Sequence, residues 1–346
     1  MDNLAHTLFG VHLSRLPAFR PLPPRLAFWT GVVASNLPDA DGVLRFVSRE
    51  TWIFEHRGIT HSIVGALAMA PLLAWAAAAL ARRPLPQVIA PLLGLSLAGL
   101  AGHVLLDYLT AWGTMVLLPF SHDRLSLPWL FVIDPIVWLI LGLPLARTAW
   151  RRHRGALPDR ILRRSSVVAL TAFSVYVAAS GAARERARGA ALAQLPDGAG
   201  RPVEVLAYPS PPGPLLWTTL VRTEDQVWHR GFASVITGGV TWVGAMPTGV
   251  EDPRVQVALE TEVGATYRWF ADALYRVEAS PLRADGSYEV VLGDLRFTGP
   301  FREEVPFQLH LEIGPDFRVR RWSFRTGHLS PDPPEEETPA TAGGPT

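Results

Sequence analysis

His56-Arg57-Gly58-Ile59-Thr60-His61-Ser62 runs straight into an uncharged stretch of twenty residues, Ser62 to Ala81. A helix over that stretch is long enough to cross the ~30 Å of hydrocarbon in a bilayer, so the fold is read outward from here as membrane-embedded. Two imidazoles at the mouth of such a helix are costly to place there unless something holds them. The same half of the chain carries further isolated titratable groups: Asp39 and Asp41, His103 and Asp107, and Asp134. Ionisable groups within or beside spanning segments usually face a polar cavity and mark function by default. Several of them together point to a metal.

The hydrophobicity of the 346 residues is uneven. Long uncharged runs fill the first half and the second half has an ordinary soluble composition, which implies two domains. The expected spans are Ser62–Ala81, Leu85–Trp112, Pro128–Ala146 and Ser166–Ala182, preceded by two shorter segments, Asn3–Leu16 and Leu26–Pro38. The expected fold is therefore a membrane α-helical bundle of about four to six spans over residues 1–188. A small α+β or β-rich extramembrane domain is expected over 189–329 and a disordered tail over 330–346, where Glu335-Glu336-Glu337 and prolines dominate. In the second domain, Leu215–Arg222, Val227–Thr237, Tyr288–Leu292 and Phe307–Ile313 read as strands, and Ala265–Ala279 as a helix between them. A net charge of +1 and the lack of basic runs interleaved with aromatics give no argument for nucleic acid. With no cysteine, any metal must be held by His, Asp or Glu.

Arginines orient the spans. Arg15, Arg20 and Arg25, then Arg82 and Arg83, then the arginine-rich connection from Arg147 to Arg164, all fall on one side if the six segments cross in turn. That side is read as cytoplasmic. His6, Asp39, Asp41, His56, His61, His103, Asp107 and Asp134 then gather near the opposite, non-cytoplasmic face, with the second domain. Arg184, Arg186 and Arg188 run against this assignment, since they follow the sixth segment on the outer side.

Spacing supplies the chemistry. His103 and Asp107 are four apart on a helix and share a face, so both can bind one ion, or Asp107 can orient the imidazole. Asp39 and Asp41 follow Pro38, and in an extended segment their carboxylates would project to one side and clamp a hard cation. His56 and His61 are five apart, poor geometry for one helical face, so His56 is placed in a loop and His61 on the first turn of the following helix. Arg57 is positioned to hold a phosphate or an acidic ligand side chain. Asp134, before Pro135, either caps a half-helix or joins the site. His12 and His122 are read as structural and solvated, respectively.

The blocks Met1-Asp2-Asn3-Leu4-Ala5-His6-Thr7, Asn36-Leu37-Pro38-Asp39-Ala40-Asp41, His56 to Ser62, Gly102-His103-Val104-Leu105-Leu106-Asp107-Tyr108-Leu109-Thr110 and Ile133-Asp134-Pro135 resemble, in order, those of the membrane-bound metal-dependent hydrolases of the YdjM type. The resemblance covers about residues 1–140. It implies a multi-pass protein of the bacterial inner membrane with a hydrolase site related to zinc phospholipases C. By matching position it implies His6, Asp39, Asp41, His56, His61, His103 and Asp107 as metal-site residues, and Asp134 after them.

A His/Asp set without Cys suits Zn²⁺, with Mn²⁺ or Fe²⁺ as alternatives. Such a metal lowers the pKa of a bound water and polarises a phosphoryl or acyl oxygen. Seven or eight candidate ligands exceed what one zinc needs, so a cluster of two or three metals is within reach. The expected activity is hydrolysis of a phospholipid or lipid-linked phosphoester, with Arg57 and Asp134 assisting at the reaction centre and the lipid bilayer as partner. Two rivals are a membrane scaffold staked by a non-catalytic metal and a metal or ion transporter. A transporter commonly carries an internal repeat, which this sequence lacks.

Overall fold

The computed structural model describes the chain except for residues 156–157, 212, 301–305, 326–334 and 337–346. Its contacts divide it into two units, Met1–Arg184 with Pro211–Leu215, and Glu185–Ser210 with Leu216–Thr346.

The first unit is helical: α1 (Asn3–Ser14), α2 (Pro24–Ala34), α3 (Arg49–Glu55), α4 (Ile63–Leu80), α5 (Leu85–Tyr108), α6 (Pro135–Arg154) and most of α7 (Asp159–Ala193). Each start has a local cause. The Asp2 carboxylate accepts the Leu4 and Ala5 amides at the head of α1, and Ser62 Oγ accepts the Gly65 amide at the head of α4. Among the described residues, α4, α5 and α7 are long and apolar enough to cross a membrane, with mean hydropathies of 2.1, 1.9 and 1.6. At 12 and 11 residues, α1 and α2 reach only about 16–18 Å.

The segment expected over Pro128–Ala146 is displaced. Residues 128–134 run without helix, and α6 begins at Pro135, because Asp134 caps it and Pro135 can occupy its first turn. Its last turns then carry Arg147, Arg151, Arg152 and Arg154, which leaves an apolar stretch shorter than the hydrocarbon layer. The segment expected to reach Trp112 ends at Tyr108, and the one expected over Ser166–Ala182 lies within the 35 residues of α7.

Small residues set the packing. Ala66, Ala70, Ala74 and Ala78 form the buried stripe of α4, which packs on α5. At the α1–α2 crossing, a Cβ on Gly10 would lie 2.4 Å from the Gly31 carbonyl oxygen, and one on Gly99 of α5 would lie 2.5 Å from the Ala34 side chain. These approaches draw α1, α2 and α5 together around the titratable groups.

The second unit holds two antiparallel meanders. One runs β1 (Pro202–Ser210), β2 (Leu216–Thr223), β3 (Val227–Ser234) and β4 (Val240–Pro247) in order. The other runs β5 (Leu274–Ala279), β6 (Tyr288–Asp294), β7 (Gln308–Ile313), β8 (Val319–Arg325) and the two-residue β9 (Glu335–Glu336). Two helices, α8 (Pro253–Glu260) and α9 (Glu262–Phe270), join them in sequence. The helix expected over Ala265–Ala279 is thus half strand: Ala271 is extended, and Tyr275 and Val277 continue along β5. The expected disordered tail lies outside the described residues, except for Glu335 and Glu336, which pair with Trp322 and Arg321. Trp217 and Trp228 are buried. The buried Arg296 pairs with Asp294 at 2.9 Å and stacks on Phe270 and Phe297.

Candidate metal centre

Interruptions of helix assemble the site. After α2 ends, the chain takes a 3₁₀ path over Leu37–Phe46, with Pro38 in its first turn, rather than the extended path expected for Asp39 and Asp41. At three residues per turn, groups two apart point in different directions. Asp39 accordingly faces His61 and His103, each 3.5 Å from its Oδ1, whereas Asp41 faces His56 at 2.8 Å. His56 terminates α3, and His61 closes the 3₁₀ turn Ile59–His61 before Ser62 caps α4, so neither lies on the first turn of a spanning helix. Between them Arg57 sits at φ 66, a left-handed conformation that costs on the order of 1–3 kcal/mol for a non-glycine residue. Its surroundings hold it there. The Arg57 amide donates to Asp41 Oδ2 at 3.0 Å, its carbonyl accepts from Met115, and Nη1 donates to Thr110 Oγ1 at 2.8 Å and to the Asp107 carbonyl at 3.2 Å.

Two sets of ligand atoms result. Asp39, His61, His103 and Asp107 each offer one atom, all within 4.8 Å of one another, and Asp39, Asp41 and His56 form a second set on the same criterion. Asp39 belongs to both. His61, His103 and Asp107 are fully buried, while the side chains of Asp39 and His56 are each 15% exposed. The site therefore opens on the Asp39–His56 side.

Proton positions show what the first set lacks. His103 Nδ1 lies 2.8 Å from the Ser35 carbonyl, which can only accept, so Nδ1 carries the hydrogen and Nε2 of the neutral ring presents its lone pair. His61 Nδ1 lies 3.0 Å from Thr60 Oγ1, whose own hydrogen goes to Asp41, and 3.3 Å from Asp41 Oδ2. That nitrogen is also the protonated one. The two Nε2 atoms are then facing acceptors 3.0 Å apart, with Asp107 Oδ2 at 3.2 and 3.3 Å from them. Both carboxylate oxygens of Asp107 are buried without a well-directed hydrogen bond. Converging lone pairs with no proton to share fit a cation, and imidazole plus carboxylate is the donor set of Zn²⁺, Mn²⁺ or Fe²⁺.

Of the remaining sequence candidates, His6 and Asp134 are in neither set. His6 is buried and stacks on His103 with ring centroids 3.8 Å apart; its Nε2 lies 3.3 Å from Asp107 Oδ1, and neither ring nitrogen makes a hydrogen bond. Arg57 Nη2 is 3.0 Å from Asp107 Oδ1, so the guanidinium holds the carboxylate of Asp107. The Met1 amino nitrogen also contacts that oxygen. Asp134 belongs to neither set: its Oδ1 accepts from Ile136 at the head of α6, and its Oδ2 accepts from Tyr176 Oη at 2.6 Å. His12 bonds Ser166 and the Leu141 carbonyl in the core, and His122 is exposed. Sequence reasoning missed the supporting groups Ser35, Thr60 and Thr110. Thr60 and Thr110 stand inside recognised blocks, but their type gave no signal apart from position.

Charge states follow from the contacts. Burial works against ionised Asp39 and Asp41, yet the imidazoles around them hold both below the usual carboxylate range: His103 and His61 for Asp39, His56 and His61 for Asp41. Burial lowers His56, against the pull of Asp41. Burial also lowers Arg57 to about 10, with Asp39 and Asp41 opposing, so it stays charged at neutral pH.

Comparison with known proteins places this chain in a family. Inner membrane protein YbcI of Escherichia coli (strain K12) is 38% identical over 118 residues, covering 31% of this chain and 61% of that protein. Uncharacterized protein YfhP of Bacillus subtilis (strain 168) is 28% identical over 146 residues, 40% of this chain and 43% of that protein. The chain thus matches about half the length of these relatives. No solved structure matches it. The YdjM inner membrane protein family matches residues 1–197, which include every residue of both ligand sets. By that match over more than half its length, the chain belongs to the YdjM inner membrane protein family.

Proposed function

We propose that this protein is a membrane-bound metal-dependent hydrolase acting on a phospholipid or lipid-linked phosphoester at one face of the bacterial inner membrane. The observation that carries this reading is the convergence of the His61 and His103 Nε2 atoms, two facing acceptors, with Asp39 and Asp107. A divalent metal bound there would supply Lewis-acid polarisation of a phosphoryl oxygen and an acidified water. The second set sharing Asp39 favours two ions. Arg57 acts as a positioning residue, fixing the Asp107 carboxylate. Ser35 and Asp41 fix the tautomers of His103 and His61.

An amphiphilic substrate is favoured by what adjoins the cluster. A groove of about 400 Å³ between α4 and α5 is lined by Ile63, Leu67, Leu97, Ala101 and Leu105, and bordered by Ser62, Val104 and Tyr108. Those border residues directly follow His61, His103 and Asp107 in sequence. A lipid chain gains little apolar burial on leaving other lipid for this groove, so the groove's contribution is alignment of the chain's head with Asp39 and His56. We further read α1, α2 and α6 as lying in the bilayer beside the three long helices, with the cluster and the second unit on the non-cytoplasmic face.

The test uses protein purified in mild detergent. Bound metal is measured by elemental mass spectrometry and hydrolysis is followed on defined phospholipids, for the wild type, His61→Ala, Asp107→Ala and Ala101→Phe. The expected result is metal and turnover lost together in the first two, and turnover alone lost when the groove is filled. Stoichiometric metal with no turnover on any phosphoester or carboxylic ester would leave the metal a structural role, and metal flux into proteoliposomes would replace hydrolysis with transport.

A further inference from the structure

A second cavity, of about 510 Å³, shares no residue with the candidate metal site and lies where α1 ends, α2 begins, α6 ends and α7 begins. Arg15, Arg20, Arg25, Arg152 and Arg163 line it, against one carboxylate, Asp159. None of the five forms an ion pair or a side-chain hydrogen bond among the described residues, and Nη1 of Arg15 is buried without a partner. Burial first, and then Arg152, hold the Arg15 guanidinium below its ordinary range. Phe28 and the 62% exposed Trp29 complete the rim.

Arginines that merely orient spans need only lie in the correct loop. These five come from two stretches far apart in the chain, one around the α1–α2 turn and one at the end of α6 and the start of α7, and meet around one volume, where their charges repel until an anion joins them. Guanidinium forks match the oxygen pairs of a phosphate, and an exposed tryptophan beside them is typical of the headgroup region of a bilayer. We propose that this cavity binds a phosphate group, carried either by an anionic phospholipid headgroup or by a soluble phosphate compound. The proposal does not depend on the hydrolase reading, because the lining shares no residue with either ligand set.

The full chain, freed of native lipid in a neutral detergent, is titrated with short-chain phosphatidylglycerol, short-chain phosphatidylcholine and inorganic phosphate, reading bound adducts by native mass spectrometry and the unfolding temperature. Saturable binding of phosphatidylglycerol but not phosphatidylcholine assigns the site to a headgroup; saturation by inorganic phosphate at comparable concentration assigns it to a soluble phosphate. In either case Arg15→Gln with Arg163→Gln should weaken binding at least roughly ten-fold, the usual scale for a hydrogen bond to a charged group. Arg25→Gln changes an exposed side chain, so its several-fold weakening does not hinge on folding, and Asp159→Asn should tighten binding. Chelation of metal should leave all of these unchanged. No binding of either phosphate probe, or affinity unaltered in Arg25→Gln and Asp159→Asn, overturns the proposal.

Discussion

Asp107→Asn isolates the charge at the centre of the cluster while keeping the shape of the side chain. In the wild type, metal at one hundred times its dissociation constant should stabilise the fold by about 2.7 kcal/mol. The substitution replaces a carboxylate whose oxygens lie 3.0 Å from Arg57, 3.2 Å from His61 and 3.3 Å from His103, all deeply buried. Loss of a group that merely supports a ligand costs roughly 10–100-fold in metal affinity, so loss of a charged ligand should cost about 100-fold or more. At the same metal concentration the stabilisation then falls to about 0.4 kcal/mol. A second effect is independent of metal. Arg57 loses its carboxylate partner but keeps Thr110 and the backbone carbonyl of Asp107, which the substitution leaves in place, so the cost falls near the low end of the range for a broken buried pair, about 3 kcal/mol. Comparing the unfolding temperature with chelator and with saturating zinc, in one protein at a time, cancels the Arg57 contribution. The wild type should show a clear metal-dependent shift and the variant almost none. A variant that retains both the shift and stoichiometric metal by elemental mass spectrometry would refute the assignment of Asp107 as a ligand.

Lowering the pH should destabilise the metal-free fold from the ordinary histidine range of about 6.5 downward. Burial holds His56 below that value, so the unfolded chain takes a proton that the folded chain declines, and the stability present above the unfolded pKa is lost as pH falls. His56→Gln should flatten part of the slope of unfolding temperature against pH between about 7 and about 5, the window around the unfolded value of about 6.5, whereas Asp39 and Asp41, held low, should add to it only from the ordinary carboxylate range downward. Gly10→Ala should cost about 1–3 kcal/mol and weaken metal retention, because its Cβ would meet the Gly31 backbone one turn from His6; thermal unfolding and metal content read both. Asp134→Ala should cost about 0.5–2 kcal/mol as a lost cap and leave metal stoichiometry unchanged, and Tyr176→Phe should cost about 1 kcal/mol; metal loss in either would place Asp134 in the centre after all.

What could be read in the sequence was whatever the bilayer makes expensive. His103 and Asp107 stood out because an apolar helix surrounds them, and their four-residue spacing survived into the structure as a shared face of α5. The joint location of Asp39, Asp41, His56 and His61 was legible as well, but not the backbone that carries them. Two acids separated by one residue suit a strand or a 3₁₀ turn differently, and nothing local chose between these; closure against α5 did. Arg57 was read for its charge, whereas its left-handed backbone, which aims the guanidinium back at Asp107, depends on Thr110 and Met115 far along the chain. The span boundaries moved for a similar reason. Hydropathy alone ran through residues 128–134, while Asp134 and Pro135 together defined a helix start that averaging over a window hides. In the second unit, β-branched and aromatic runs located β2, β3, β6 and β7, but Ala265–Ala279 read as one helix and is divided in the structure by the break at Ala271.

The depth of the cluster bears on which chemistry a membrane protein can perform there. Helix α5 has 24 residues, about 36 Å of rise, and Asp107 is its penultimate residue. If the apolar part of α5 fills a hydrocarbon layer of ~30 Å, His103 and Asp107 lie at the edge of that layer rather than at its middle. Transport sites sit near the midplane so that each side can reach them in turn. A buried charge set at the boundary, with Asp39 and His56 its more exposed members, would instead be reached from one leaflet, at the level where ester and phosphate bonds of lipids lie. Moving His103 and Asp107 off that level should therefore abolish function even with both residues kept. Inserting four residues into the apolar body of α5, after Leu97, would push His103 and Asp107 about 6 Å along the helix while nearly preserving their face. If hydrolysis is the function, turnover should vanish while some metal remains; undiminished turnover would show that depth is irrelevant to it.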